Sequence, residues 1–216
     1  VHELAEGYGM SYDAALARLK EDYDGYHFVN NGVDVYNPFS LLNTFANCEF
    51  GRYWFETGTP SYLVEVMKQD NYPLPDITQE QVTGDFLNSI DSMSTNPIPL
   101  IYQSGYLTIK DYDSEFGFYT LGFPNKEVEE GFTDYLLPLY TNIRQGESAF
   151  YIGNFVRDLR QGRIDDFMRR METMLYDTDY KIVGDSELYF QNAFYLISRM
   201  LGFYTEVERE TSNGRM

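Results

Sequence analysis

Twenty tyrosines, sixteen phenylalanines and one tryptophan make 17% of this 216-residue chain aromatic. Each ring buries a large apolar area. A chain this rich in them offsets its conformational entropy by packing and does not stay an open acidic coil. It is nonetheless acidic: 34 Asp and Glu against 16 Lys and Arg give a net charge of −18. A wide phosphate-gripping face needs basic surface, so nucleic acid is not an expected partner of this piece alone, although a local basic cleft remains compatible with the count. One cysteine, Cys48, excludes an internal disulfide framework and a multi-cysteine zinc site, and leans the expected location to the cytoplasm. No run approaches the roughly 20 apolar residues of a membrane span. Val1-His2-Glu3 carries neither a signal pattern nor an initiator Met, so the chain is expected to be a piece of something longer.

Local signals divide the chain. Ser11 as an N-cap and Asp13 in the first turn open a helix whose Tyr12, Leu16, Leu19 and Tyr23 share one face. Asn31-Gly32 between β-formers predicts a short hairpin. Asn37-Pro38 ends it and opens a helix, and Pro60 after Thr57-Gly58-Thr59 predicts another helix through Met67. Pro73, Pro75, Pro97 and Pro99 punctuate a linker with one short helix near 79–90. A helix over 97–104 ends at Gly105. Strands over 106–109 and 116–121 flank an Asp-rich turn, and Asn125 caps a helix holding Val128, Phe132, Leu136 and Leu139. This helix–wing–helix order resembles a winged-helix unit, whose acidic wing (Asp111, Asp113, Glu115) favours packing between domains over DNA reading. Helices over 147–160 and 163–175 follow. The second places Ile164, Phe167, Met168, Met171, Met174 and Leu175 on one side, and Asp165–Arg169 and Asp166–Arg170 as i,i+4 pairs on the other. A last helix over 185–202 stops at Gly202, ahead of an alternating strand over 203–210 and a Ser212-Asn213-Gly214 turn. The expected class is α+β, predominantly α-helical, in three stretches: 1–95, 96–145 and 146–216.

Chemical motifs are sparse. The sequence contains no phosphate-loop signature, Rossmann glycine fingerprint, His-Glu-x-x-His or Gly-x-Ser-x-Gly. Cys48 follows Asn47 at a helix end with no obvious base, which reads as a packing or surface thiol. On the 185–202 helix, Glu187, Gln191 and Ser198 form a polar stripe opposite Leu188, Tyr189, Ala193, Leu196, Ile197 and Met200. Glu187 is either a solvent-facing glutamate or a helix carboxylate that helps hold Mg²⁺. Alone it completes neither a catalytic nor a metal site.

Six segments in order carry a resemblance: Tyr8-Gly9-Met10-Ser11-Tyr12, Glu21-Asp22-Tyr23-Asp24-Gly25-Tyr26-His27-Phe28, Tyr36-Asn37-Pro38-Phe39-Ser40, Tyr53-Trp54-Phe55-Glu56-Thr57-Gly58-Thr59-Pro60, Tyr102-Gln103-Ser104-Gly105-Tyr106-Leu107-Thr108-Ile109 and Leu121-Gly122-Phe123-Pro124-Asn125. Together they resemble the bacterial, Bacteroides-type family of AAA-ATPase-like proteins with a C-terminal PD-(D/E)XK nuclease-like domain. The resemblance implies that 1–95 is a helical lid-like region, 96–145 a winged-helix-like region, and 146–216 a helical segment running into the first helix and strand of the nuclease-like domain. Thr57-Gly58-Thr59-Pro60 resembles a Gly-x-Pro lid signature, which implies that Gly58 and Pro60 face nucleotide in the parent. Thr211-Ser212-Asn213-Gly214-Arg215-Met216 resembles the turn before the catalytic Asp, so the Asp and Glu-x-Lys strands fall outside this chain. Glu187 matches the helix glutamate that assists metal binding. The resemblance therefore implies ATP and Mg²⁺ as cofactors of the parent and none of this chain. It implies the parent's remaining domains as partners, self-association through bared apolar surface, and no catalysis by this piece. The other reading open to the residues is an acidic, Tyr-rich protein-interaction module without enzymatic activity.

Overall fold

Capping chemistry fixes where the chain turns. A computed structural model describes residues 1–29, 32–56, 67, 72–78, 81–89, 96–144, 146–176, 186–202, 210–211 and 214–215. The chain forms two compact units, Val1–Asp70 with Asp76–Phe132, and Asn71–Pro75 with Thr133–Met216. The fold is α+β and predominantly helical.

In the first unit, α1 (His2–Tyr8) leads into α2 (Tyr12–Tyr23), where Ser11 Oγ accepts from Ala14 N at 3.1 Å. The buried face of α2 is Ala15, Leu19 and Tyr23. The expected face is corrected here, because Tyr12 and Leu16 are exposed. Leu4, Leu19 and Tyr23 form a small core joined by Val1, Tyr36, Leu41 and Phe50. The hairpin expected around Asn31-Gly32 reduces to a single antiparallel bridge, Tyr26↔Val35, and Asn31 itself lies outside the described residues. Asn37 then caps α3 (Pro38–Asn47), its Oδ1 accepting from Phe39 N and Ser40 N.

α4 (Tyr53–Glu56) is followed, beyond residues outside the description, by a 3₁₀ turn (Leu74–Thr78), β1 (Gln81–Thr83) and α5 (Gly84–Leu87). The single helix expected near 79–90 is thus a strand and one helical turn. Val82 is buried between exposed Gln81 and Thr83, a period of two over three residues that is too short to read from sequence. After α6 (Ile98–Gln103), β2 (Thr108–Asp113) and β3 (Phe118–Gly122) complete an antiparallel sheet of order β1-β3-β2. Asp111 and Asp113 lie in β2 past a bulge, so the strand runs later than the expected 106–109. Asp113 Oδ1 accepts from Glu115 N and Phe116 N, which builds the turn. Asn125 caps α7 (Lys126–Leu136) by accepting from Val128 N. Because β1 of the stretch 1–95 is hydrogen-bonded to β3 of 96–145, the two stretches share one sheet.

In the second unit, α8 (Ser148–Arg160) and α9 (Ile164–Tyr176) form a hairpin with Phe155 edge-on to Phe167, their centroids 5.3 Å apart. Asp158 on α8 is 1% exposed. It accepts from Arg163, Nε at 3.2 Å, and from Arg170, Nε at 2.6 Å. This corrects the expected wet-face pairs: Arg170 reaches the buried Asp158, and Arg169 reaches Asp166. Met171 and Met174 are buried, while Ile164 and Met168 are exposed. On α10 (Ser186–Met200), Asn192 is fully buried. Its Oδ1 accepts from Leu74 N and its Nδ2 donates to Tyr72 O, both at 2.9 Å. Ser198 is also buried, so the expected polar stripe on α10 is not uniformly solvated. β4 (Glu210–Thr211) and β5 (Gly214–Arg215) pair antiparallel. Residues 203–209 of the expected strand lie outside the description.

Hydrogen bonds from Arg163, aided by those from Arg170, hold the Asp158 carboxyl below the usual carboxylate range. A depressed carboxylate contributes stability that is present above its unfolded pKa of about 3.9 and is lost as pH falls through the lower folded value. The Asp158→Asn variant is therefore expected to be less stable than wild type at pH 7, with the difference shrinking as pH falls below about 4. Thermal unfolding at several pH values checks this; a gap independent of pH would refute it.

Candidate functional site

Ser40 presents a hydroxyl to the interior of the first unit, which an isolated helix would place on its wet side. Its partner is Glu127 in the first turn of α7, 3% exposed. Glu127 Oε1 accepts from Ser40 Oγ and from the backbone N–H of Trp54, each at 2.9 Å. One carboxylate oxygen thus joins α3, α4 and α7. A buried carboxylate needs such donors, because desolvating it without them costs several kcal/mol.

Glu127 forms part of the lining of a cleft of about 260 Å³, shared with Arg18, Asp22, Tyr23, Arg52 and Lys126. Tyr23 Oη donates to Gly51 O and accepts from Gly51 N, both at 3.0 Å, which closes one wall. Arg18 lies over the Phe50 ring at 3.9 Å and pairs with Asp22 at 3.3 Å. Lys126 reaches Glu21 at 3.4 Å. Burial pushes the Asp22 carboxyl up, partly opposed by Arg18, and burial raises the Tyr23 hydroxyl too. The Arg18–Asp22 pair lies within α2 and orients Arg18, and the Lys126–Glu21 pair links α7 to α2.

Gly58 and Pro60 lie outside the described residues. Glu187 is exposed in the first turn of α10. Among the described residues, no group of three or more His, Cys, Asp or Glu could hold a metal ion. Cys48 is exposed at the C-cap of α3 in the left-handed region, φ 50°. Among the described residues, no helix is long and apolar enough to cross a membrane. Sequence reasoning missed the buried Glu127 cluster. Its one signal was an acidic residue two positions after the Asn125 cap, a pattern many helices share.

The chain is 30% identical over 203 residues to a protein of Azotobacter chroococcum mcd 1 described as an uncharacterized protein in the vnfD 5′ region. That match takes in 90% of this chain and 38% of the relative, so the chain spans well under half of the relative's length. No protein-family model matches the chain, and no solved structure matches it significantly.

Glu127→Ala removes two charge-assisted hydrogen bonds and is expected to cost about 3 kcal/mol, while Glu127→Gln, which keeps one oxygen acceptor, costs about 1 kcal/mol. Urea unfolding followed by fluorescence of Trp54, the one tryptophan of the sequence, measures both. Equal losses would show that the oxygen is not the joint described. Separately, the NMR carboxyl titration of Asp22 is expected to have its midpoint above that of a solvated aspartate; a midpoint below it would mean that Arg18 outweighs burial.

Proposed function

We propose that the chain is the lid-like and winged-helix-like part of an ATPase-like, nuclease-like protein, entering the start of the nuclease-like domain and carrying no complete catalytic site. The observation that carries this reading is the run α6, β2, β3, α7, in which β2 and β3 pair antiparallel. It supplies the helix, two-strand wing and following helix that the resemblance asks for, with a third strand closing the sheet. Asp113 of the acidic wing serves its turn, which suits packing between domains better than a phosphate backbone. The 38% share of the Azotobacter relative supports reading the chain as part of a longer protein, with its remaining domains as partners. The parent's ATP would supply the free energy of phosphoryl transfer, and Gly58 and Pro60 are the residues proposed to face it. Mg²⁺ chemistry belongs, on this reading, to strands beyond this chain, with Glu187 assisting. A cytoplasmic location fits the same reading.

A second reading, a protein-interaction module, is favoured by one observation: α3 shows its apolar side outward.

Calorimetric titration of the 216-residue chain with ATP is expected to show no tight binding, and incubation with Mg²⁺ and nucleic acid no cleavage. Metal-dependent cleavage by this chain would overturn the first reading. In a longer protein carrying both domains, Glu187→Gln is expected to weaken metal-dependent cleavage; undiminished cleavage would remove Glu187 from that role.

A further inference from the structure

Helix α8 carries an open groove with an apolar floor and a positive end. The groove, of about 550 Å³, is lined by Ala149, Ile152, Gly153 and Val156 and, towards the C-terminus of the helix, by Arg157 and Arg160. Ala149, Gly153, Val156 and Arg160 follow at i, i+4, i+7 and i+11, so they share one helix face. Glycine is a poor helix former next to alanine. Gly153 nonetheless stands inside α8 without a positive φ, and a Cβ built there meets no heavy atom within 4 Å. The chain's own packing has no use for the missing side chain. A second backbone lying close against α8 does.

Charge indicates what the groove takes. Arg163 and Arg170 are held by Asp158, and Arg169 by Asp166. The two arginines of the groove are not committed in this way. Arg157 donates to Asn154 Oδ1 at 2.9 Å, and neither Arg157 nor Arg160 pairs with a carboxylate among the described residues. Both are exposed. The C-terminus of a helix favours basic side chains, which accounts for their sign but not for the uncovered apolar floor leading up to them. Residues 144–170 hold six of the sixteen basic side chains of the sequence and four of its thirty-four acidic ones. A long polyanion such as a nucleic acid is repelled by the acidic remainder of the chain, whereas a short carboxylate-bearing segment meets the arginines alone. The apolar floor likewise suits the apolar side of an amphipathic helix and not a phosphate backbone. We propose that the α8 groove docks a short acidic, amphipathic helix of a partner protein. Its small apolar side chains lie over Gly153, and carboxylates one turn apart meet Arg157 and Arg160. The proposal is independent of the ATPase-like reading.

Fluorescence anisotropy tests it, with the 216-residue chain titrated into a labelled helical peptide. The peptide has about 16 residues, with glutamates one turn apart on one side and alanine and leucine on the other. The expected result is saturable binding that weakens as salt is added. Arg157→Gln together with Arg160→Gln is expected to weaken it about tenfold while leaving the circular dichroism of wild type, since both side chains are exposed. Gly153→Ala is expected to raise the midpoint of thermal unfolding, because alanine improves the helix, and yet to weaken peptide binding about fivefold. A purely structural role for Gly153 would not give both. No binding overturns the proposal, as does equal binding of the peptide with glutamine in place of each glutamate. Binding that survives the arginine substitutions, or that Gly153→Ala leaves untouched, also overturns it. So does tighter binding of a labelled single-stranded oligonucleotide through the same arginines, which would make the groove a phosphate site.

Discussion

A single buried carboxylate governs the arrangement of the first unit. Glu127 has left water, and a carboxyl oxygen in that position must be met by donors. Ser40 and the Trp54 amide meet it. The helix that supplies Ser40 has to turn its small polar side inward to do so, and its rings are left facing out. At Ser40 polar satisfaction has therefore set which side of α3 faces inward, while Leu41 of the same helix packs on the Leu4, Leu19 and Tyr23 core.

The second unit solves a related problem differently. Asp158 sits at the end of α8, and its two arginine partners both follow it in sequence, one in the connection and one on α9. The pairing ties the helical hairpin near its connection, while Phe155, Phe167 and the methionines fill the space between. Asn192 does for α10 what Glu127 does for α3, satisfying the backbone of the Tyr72–Leu74 segment with one amide. In both units, a buried polar side chain with several partners sets the geometry that the apolar side chains then pack around.

Local chemistry was legible in the sequence, and long-range chemistry was not. Ser11 and Asn125 each cap the helix expected of them, and Asn37 caps the helix expected to open at Pro38, because a cap reaches only two or three residues along the chain. The positions of α6, α8 and α9 followed from periodicity and punctuation. The face of α2 was misread because Tyr12 and Leu16 have the right spacing, yet the neighbours on the buried side, Leu4 and Phe50, lie on other segments of the chain, outside the helix's own periodicity. β1 was hidden because three residues carry no usable period and its partner lies nearly forty positions on. The Asp166–Arg170 pair expected from i,i+4 spacing lost to Asp158, a buried acceptor that holds the guanidinium more firmly than an exposed neighbour can. Glu187 lies in the first turn of α10, on the helix expected over 185–202. The Glu127 joint could not be foreseen, since its donors are 87 and 73 positions away.

The sheet order has a consequence for how the chain holds together. β3 is the central strand, and its two neighbours come from opposite ends of the stretch between Gln81 and Asp113. A protease cutting the connection between β1 and β2 would therefore sever the backbone without freeing either flank. The two pieces would remain clasped through β3, nicked but still assembled.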